Sequence, residues 1–407
     1  MRRTVSFIST MKVFGLIAVS LIGCTPSQSN GDSIEFGAIL STTGDLAGAG
    51  ARLLASASLA ATEINAAGGV LGRNIHFVNI DDHSEVGGAK TAAESHYANG
   101  VPAVIGAIGS AWTMEAADIA ADGMVLVSPT SSSPLITHLD DNGYVFRTCP
   151  SDALQGRLMA ERAINSGIET AAVIYVDGAY GGEMAATFTE NFVSAGGTIT
   201  SSLAYEEHQV SYVEMWGEVF EESPEAVVMT VYPVDGAQMM VDYNTHYATE
   251  DAFFYFSDAV ANDDFLTLVG EDNFSFRHEG TVPSGEGEYF SSFALAFEAE
   301  FGESPGNFQS NMYDAVYLVA LAAQVAGSLE SDAIRDAMLE VSYGGVPQGP
   351  AEAMESAELG VDFDYQGASG TVDFDSNGDV VAPYAIWAVV DGQVTTLEVV
   401  SPSQVED

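Results

Sequence analysis

From residue 34 onward, short apolar runs alternate with longer segments whose apolar residues recur at helical spacing. The runs at 34–40, 74–80, 103–108 and 124–128 predict buried strands, and 52–66, 86–99 and 112–122 predict the helices between them. Gly68-Gly69 closes the first of those helices in the manner of a C-cap. A second series begins after Cys149-Pro150, with helices at 153–166, 181–195, 215–222 and 236–245 alternating with strands at 171–176, 198–205, 226–231 and 252–256. Two more helical stretches, 288–301 and 309–326, come later, and an Asn377-Gly378 turn is predicted between strands 370–374 and 380–389. Strands and helices succeeding one another across short links predict right-handed βαβ units and parallel sheets. A chain of 407 residues exceeds what one core ordinarily serves, so the two series predict two doubly wound α/β lobes. Ligands of such sheets bind beyond the carboxyl ends of the strands. The loops after Leu40, Ile108, Ser128, Val176, Val231 and Phe256 are therefore the candidate site.

Ahead of this pattern lies a different text. An apolar run, 13–23, follows Arg2, Arg3 and Lys12, and it is too short to cross a bilayer as a helix, so residues 1–23 read as a secretory signal. Leu21-Ile22-Gly23-Cys24 resembles the lipobox of bacterial lipoproteins, which implies that Cys24 becomes the acylated mature N-terminus and holds the protein to a membrane. Met11-Lys12 offers a second, shorter start to the same signal. Residues 24–32, rich in Ser, Gln, Asn and Gly, read as a tether.

Charge narrows the partners. Three of the 11 bases precede Cys24 and none of the 58 acids does, so the mature chain carries 8 bases against 58 acids. Such a balance excludes nucleic acid and anionic lipid surfaces as partners, because both require a basic footprint. Hydrophobic residues at 47% exclude disorder. Self-repulsion of this size is best screened in concentrated salt, which points to a saline habitat. Beyond Cys24 the sole cysteine is Cys149, which leaves no disulfide and no cysteine-based zinc site in the exported part.

Catalytic and cofactor signatures are weak. Asp373, Asp375, Asn377 and Gly378 imitate the start of a calcium loop, but the twelfth position is Tyr384 where a bidentate acid belongs. The segment 44–50 lacks the Gly-Lys-Ser/Thr of a phosphate-binding loop and a full Gly-x-Gly-x-x-Gly. No Gly-x-Ser-x-Gly elbow occurs, and His76, His83, His96 and His208 fall at no catalytic or metal-binding spacing. Cys149 has no base near it in sequence. The reading is of a protein that is not an enzyme and holds neither cofactor nor metal.

The loops at the strand ends carry a resemblance. Gly37-Ala38-Ile39-Leu40-Ser41-Thr42-Thr43-Gly44, Glu63-Ile64-Asn65-Ala66-Ala67-Gly68-Gly69-Val70-Leu71-Gly72 and Asp81-Asp82 open it. Val104-Ile105-Gly106, Ser110, Ser128-Pro129, Phe146-Arg147-Thr148, Tyr180-Gly181 and Tyr313-Asp314-Ala315 follow in order. From about residue 34 to its end the chain resembles the extracytoplasmic substrate-binding proteins of ABC importers, in the branched-chain amino-acid and amide group. That resemblance implies the type I periplasmic-binding fold: two Rossmann-like lobes joined by a three-strand hinge. It places lobe one at 33–149 with 283–383 and lobe two at 150–282 with 384–407.

An α-amino acid presents a carboxylate and an ammonium on one carbon, so its site needs donors for one and an anion for the other. By resemblance, Ser110, Ser131 and Ser132 match the carboxylate-binding places, Asp258 matches the acid that pairs with the ammonium, and Tyr180 and Tyr232 match aromatic walls. Ser110 also follows a strand and opens a helix, whose free N–H groups attract a carboxylate; each serine has the alternative role of helix N-cap. Small residues at 47–50 stand where relatives often set an aromatic, a wall that Trp112 could replace, and His83 and Ser84 stand where some relatives have a disulfide cysteine.

The implied function is a lipid-anchored receptor in the cell envelope, on the periplasmic or cell-surface face. It binds an amino acid, branched-chain or otherwise apolar, in a cleft that closes on the ligand, and delivers it to an inner-membrane ABC permease. Amides, urea or short peptides are the alternative ligands, and a chemoreceptor or histidine kinase is the alternative partner. The charge argument yields a first prediction: the melting temperature should rise between about 0.1 M and about 2 M NaCl. A flat or falling profile in a thermal-shift series would contradict the saline reading.

Overall fold

The computed structural model describes residues 33–270 and 273–401; the signal, Cys24 and the tether lie outside the described residues. The chain opens with β1 (Ser33–Ile39), α1 (Ala47–Ala66), β2 (Asn74–Ile80), α2 (Gly88–Ala98), β3 (Ala103–Gly106), α3 (Ser110–Ala120), β4 (Val125–Ser128) and β5 (Val145–Arg147). These strands form a wholly parallel sheet in the order β2-β1-β3-β4-β5. Every residue of β3 and β4 is buried because helices cover both faces, which is why these strands read as continuous apolar runs. β2 lies at the edge, and its residues alternate toward solvent.

The second series comprises α4 (Asp152–Asn165), β6 (Thr170–Val176), α5 (Gly181–Ser194), β7 (Thr198–Tyr205), α6 (Val213–Val219) and β8 (Ala226–Thr230). It continues through α7 (Pro233–His246), β9 (Phe253–Phe256), α8 (Asp263–Val269) and β10 (His278–Pro283). The chain then returns to the first lobe with α9 (Phe290–Phe301), α10 (Gln309–Ala326), α11 (Ser331–Ser342), β11 (Val346–Gln348), α12 (Pro350–Leu359) and β12 (Phe363–Tyr365). It ends on the second lobe with β13 (Tyr384–Val390) and β14 (Gln393–Val400), which complete a sheet ordered β14-β13-β10-β9-β8-β6-β7. Only those last two strands run antiparallel to their neighbours.

Two cores result. One joins Ile34 through Phe146 to Phe293 through Val380; the other joins Met159 through Val282 to Ala385 and Trp387. The helix α10, buried on all sides from Gln309 to Ala323, is the axis of the first core, as an all-round apolar helix must be. The backbone crosses between the cores after β5, after β10 and before β13. The crossings are held side by side: Pro150 pairs with Val380, and Ser284 N donates to Pro383 O at 2.8 Å.

One expected element is absent and its residues do something else. The turn at Asn377-Gly378 forms, with Gly378 N donating to Asp375 O, but 370–374 is not a strand and Val380 pairs with Pro150 instead. The turn is drawn down onto the end of β5. Arg147 N donates to Gly378 O, and a Cβ at Gly378, whose φ is +76°, would lie 2.3 Å from Val145 O, so a side chain is excluded there. The Asp375 carboxylate accepts from the amides of Asn377 and Asp379 rather than standing open as a calcium ligand would.

Arg147 is the reason for this docking. Its side chain is wholly buried, and Nε donates to Asp379 Oδ1 at 2.6 Å. Nη1 donates to Ser133 O at 2.9 Å and Nη2 to Thr137 Oγ1 at 2.9 Å, while Thr137 Oγ1 donates to Asp379 Oδ2 at 2.6 Å. Removing one partner of a buried ion pair strands the other charge at a cost of about 3–5 kcal/mol. Asp379→Ala should therefore destabilise the protein by about that amount in urea unfolding, and the double variant Arg147→Met with Asp379→Leu should recover most of the loss. Equal stability of wild type and Asp379→Ala would remove Arg147 from its structural role.

Candidate ligand-binding site

Beyond the carboxyl ends of both sheets, a cleft of about 1030 Å³ runs between the lobes. That is the upper end of the roughly 300–1,000 Å³ typical of small-molecule sites. On the first lobe its wall is built by the links after β3 and β4. Ser110 lines the cleft as the first residue of α3; it is 2% exposed, and its Oγ accepts from Ser133 N at 3.2 Å. The first turn of α3 carries no acidic residue, so its positive end is uncompensated toward the cleft. A Cβ on Gly109 would lie 2.4 Å from the Trp112 ring, so the glycine lets the indole fold back over the backbone.

Ser131 and Ser132 are placed differently from the expectation. Their side chains are buried behind the wall: Ser131 Oγ shares a hydrogen bond with Thr113 Oγ1 at 2.8 Å, and Ser132 Oγ donates to Asp152 Oδ2 at 2.9 Å. The pull of Arg147 on the Ser131 and Ser133 carbonyls turns this loop inward. Thr130 lines the cleft in their place, with Oγ1 donating to Ile108 O at 2.6 Å.

The second lobe contributes an anion and two phenols. Asp258 begins a single 3₁₀ turn, Asp258–Val260, after β9, and it is 5% exposed. It accepts from Tyr180 Oη at 2.8 Å and from Gln155 Nε2 at 3.3 Å. Burial pushes its carboxyl above the usual range, against the opposing effect of the Tyr180 hydrogen bond. Burial and the nearby Asp258 charge push the Tyr180 hydroxyl well up, so it remains a donor. Tyr232, before α7, is half-buried and stacks on Tyr180 with ring centroids 5.6 Å apart. Tyr232 also lies 6.4 Å from Trp112 of the first lobe, nearly parallel to it, so aromatic rings of the two lobes meet at the cleft.

Closer to solvent the lobes also meet through charge. Arg52 of α1 donates from Nη2 to Asp264 Oδ2 of α8 at 2.9 Å, His208 Nδ1 lies 3.3 Å from Asp45 Oδ2, and Asn307 Nδ2 donates to Ala261 O. Arg52, Asp264 and Thr130 were not legible as site residues, because each lies on an ordinary amphipathic helix or loop. Gln155 and Asp152 left a faint signal: two polar residues at i and i+3 on the otherwise apolar face of α4. The cleft offers hydrogen-bond donors on one wall and an anion with aromatic surface on the other, which suits binding. Cys149 is wholly buried, and burial pushes its thiol far above the range of a nucleophile.

Two α/β lobes, three crossings and a cleft at the strand ends define a solute-binding protein of the type I periplasmic-binding fold. The chain belongs to the periplasmic binding protein family, whose model matches residues 33–392. Members of this family bind solutes outside the cytoplasm. Among the described residues no single helix is long and apolar enough to cross a membrane. The chain is 25% identical over 357 residues, 84% of its length and 83% of the relative's, to a chemotactic signal transduction system substrate-binding protein, BasB, from Halobacterium salinarum. It is 25% identical over 330 residues, 79% of its length and 86% of the relative's, to a leucine-, isoleucine-, valine-, threonine- and alanine-binding protein from Pseudomonas aeruginosa. In fold it matches the branched-chain amino-acid transporter substrate-binding protein LivJ from Streptococcus pneumoniae, solved with isoleucine. The TM-score is 0.77 at 22% identity, covering 91% of this chain and 100% of that one.

A test of the second wall follows. Tyr180→Phe keeps the ring stack and removes the donor to a buried carboxyl, so it should cost about 1–3 kcal/mol in urea unfolding at neutral pH. No measurable loss would mean that the Tyr180 hydroxyl does not satisfy Asp258.

Proposed function

We propose that this chain is a receptor tethered through lipid on Cys24, which captures an amino acid, branched-chain or otherwise apolar, and hands it to an ABC permease. The observation that carries the reading is the opposition of Ser110, at the positive end of α3 on one wall, to Asp258 backed by Tyr180 on the other. A carboxylate and an ammonium on one carbon need that polarity, and Trp112, Tyr232 and Tyr180 supply apolar surface for a side chain. The Pseudomonas relative and the isoleucine complex of LivJ support the same ligand class.

Ser110 receives the carboxylate, assisted by the α3 amides, in place of the Ser131 and Ser132 hydroxyls, and Thr130 lines the cleft beside it. Asp258 pairs with the ammonium. Because the two sets belong to different lobes, a ligand touching both favours the closed form over any open one, and only that differential contact drives closure. The lobes are 33–149 with 283–383 and 150–282 with 384–407, moving about the three crossings.

A second reading replaces the permease with a chemoreceptor, and the similarity to BasB favours it. Co-purification from the native membrane separates the two: a permease and ATPase recovered with the protein support import, and a receptor supports sensing. For the ligand, a thermal-shift screen should show the largest rise in melting temperature with leucine, isoleucine or valine, and little with benzoate, urea or short amides. Asp258→Asn should abolish the rise. Stabilisation by leucine that survives Asp258→Asn would remove the ammonium assignment.

A further inference from the structure

Behind Asp258 the protein buries a second carboxylate that the binding reading does not use. Asp152 is the first residue of α4 and wholly inaccessible. Ser132 Oγ satisfies its Oδ2, but Oδ1 has no hydrogen-bond partner among the described residues. One turn along the same helix, Gln155 donates from Nε2 to Asp258 Oδ1 and, at 3.1 Å, to Thr281 O. Its own carbonyl Oε1 is likewise unpartnered.

The titratable groups that act on this pair come from several elements. Tyr180 precedes α5, Tyr232 precedes α7, Tyr384 belongs to β13, and Arg147 and Cys149 stand at the first crossing. The phenols and the thiol are neutral, each pushed up chiefly by burial. Arg147 is the one cation among them, and its guanidinium is already engaged by Asp379, Ser133 O and Thr137. Two carboxylates in a dry interior without a cation of their own cannot both remain ionised except at high cost.

We propose that Asp152 is a positioning residue for the ligand's cationic group: in the empty cleft Asp152 and Asp258 hold one proton between them, and that proton passes to solvent when an ammonium docks on Asp258. The exchange is one positive charge for another, so the buried cluster keeps its net charge on binding. A proton on Asp152 also turns an unpartnered acceptor into a donor, on a helix face where Gln155 Oε1 lacks one. Burial pushes both carboxyls above the usual carboxylate range, and the Asp258 charge pushes Asp152 further, which agrees with a retained proton. The inference rests on the ammonium assignment made above.

Asp152→Asn keeps a partner for Ser132 and cannot ionise. With leucine as the probe, calorimetry in buffers of different ionisation enthalpy should show up to about one proton released per leucine on the acid side of neutrality. The dissociation constant should fall by up to about tenfold per pH unit in that range. In Asp152→Asn both the release and the slope should approach zero while leucine still binds. Without ligand, the carbonyl stretch of protonated aspartate, read in carbon-13-labelled protein above the usual carboxylate range, should be weaker in the variant than in wild type by the share of one carboxyl. A carboxyl whose folded value is raised favours the fold while protonated and loses that contribution as pH rises through the folded value. Asp152→Asn should therefore gain melting temperature on wild type as pH rises above the usual carboxylate range. A stretch of equal strength in wild type and variant, or proton release unchanged in the variant, would overturn the proposal. Leucine failing to bind while the stretch weakens in the variant would overturn the amino-acid reading and the exchange step with it. Leucine binding without proton release would overturn the shared proton alone.

Discussion

A guanidinium with no access to water organises the junction of this molecule. Arg147 ends β5 where the chain first leaves the first lobe, and each of its three nitrogens donates: to the Asp379 carboxylate, to the Ser131 and Ser133 carbonyls and to the Thr137 hydroxyl. An unpaired charge in such a place would cost several kcal/mol, so the 375–379 turn and the 131–137 loop are pulled onto it together. The cleft inherits its shape from that constraint. With the Ser131 and Ser133 carbonyls held inward, Thr130 and Ser110 remain as the hydroxyls facing the ligand space.

The second lobe obeys the opposite logic. Asp258 is buried without a cation, and its donors are a phenol and an amide. A carboxyl in this state is poised for a positive partner, supplied from outside or as a proton. In a chain with 58 acids the distinction between Asp258 and its many relatives is environment alone: most stand in water, where charge is cheap, and this one does not. The Tyr180 and Tyr232 rings that line the cleft with it are the complement, apolar surface that a side chain on the same ligand can cover.

Much of the architecture was readable in the text. Strands 74–80 and 198–205 and helix 309–326 were predicted at their observed bounds, because turn residues stand close to their ends. The strand expected at 370–374 failed because a two-residue turn signal says nothing about what docks on the turn; a buried arginine far away in sequence took it. The serine loop shows the same limit. Ser-Pro-Thr-Ser-Ser-Ser-Pro offers five hydroxyls of similar chemistry, and which of them faces the ligand is decided by the contacts of the loop with Arg147 and Asp152.

What the sequence determined alone was therefore the alternation of strands and helices in two series and the loops at which a ligand would gather, since these follow from local periodicity; β5, β10 and the elements from α11 to β12 carry no such signal. What only the tertiary structure decided was which polar groups are dry. Burial, not residue type, separates Asp258 and Asp152 from the surface acids and turns Ser131 and Ser132 away from the cleft. It also brings Arg147 to Asp379 across 232 positions of chain. Dielectric environment belongs to the assembled fold, and a one-dimensional text does not carry it.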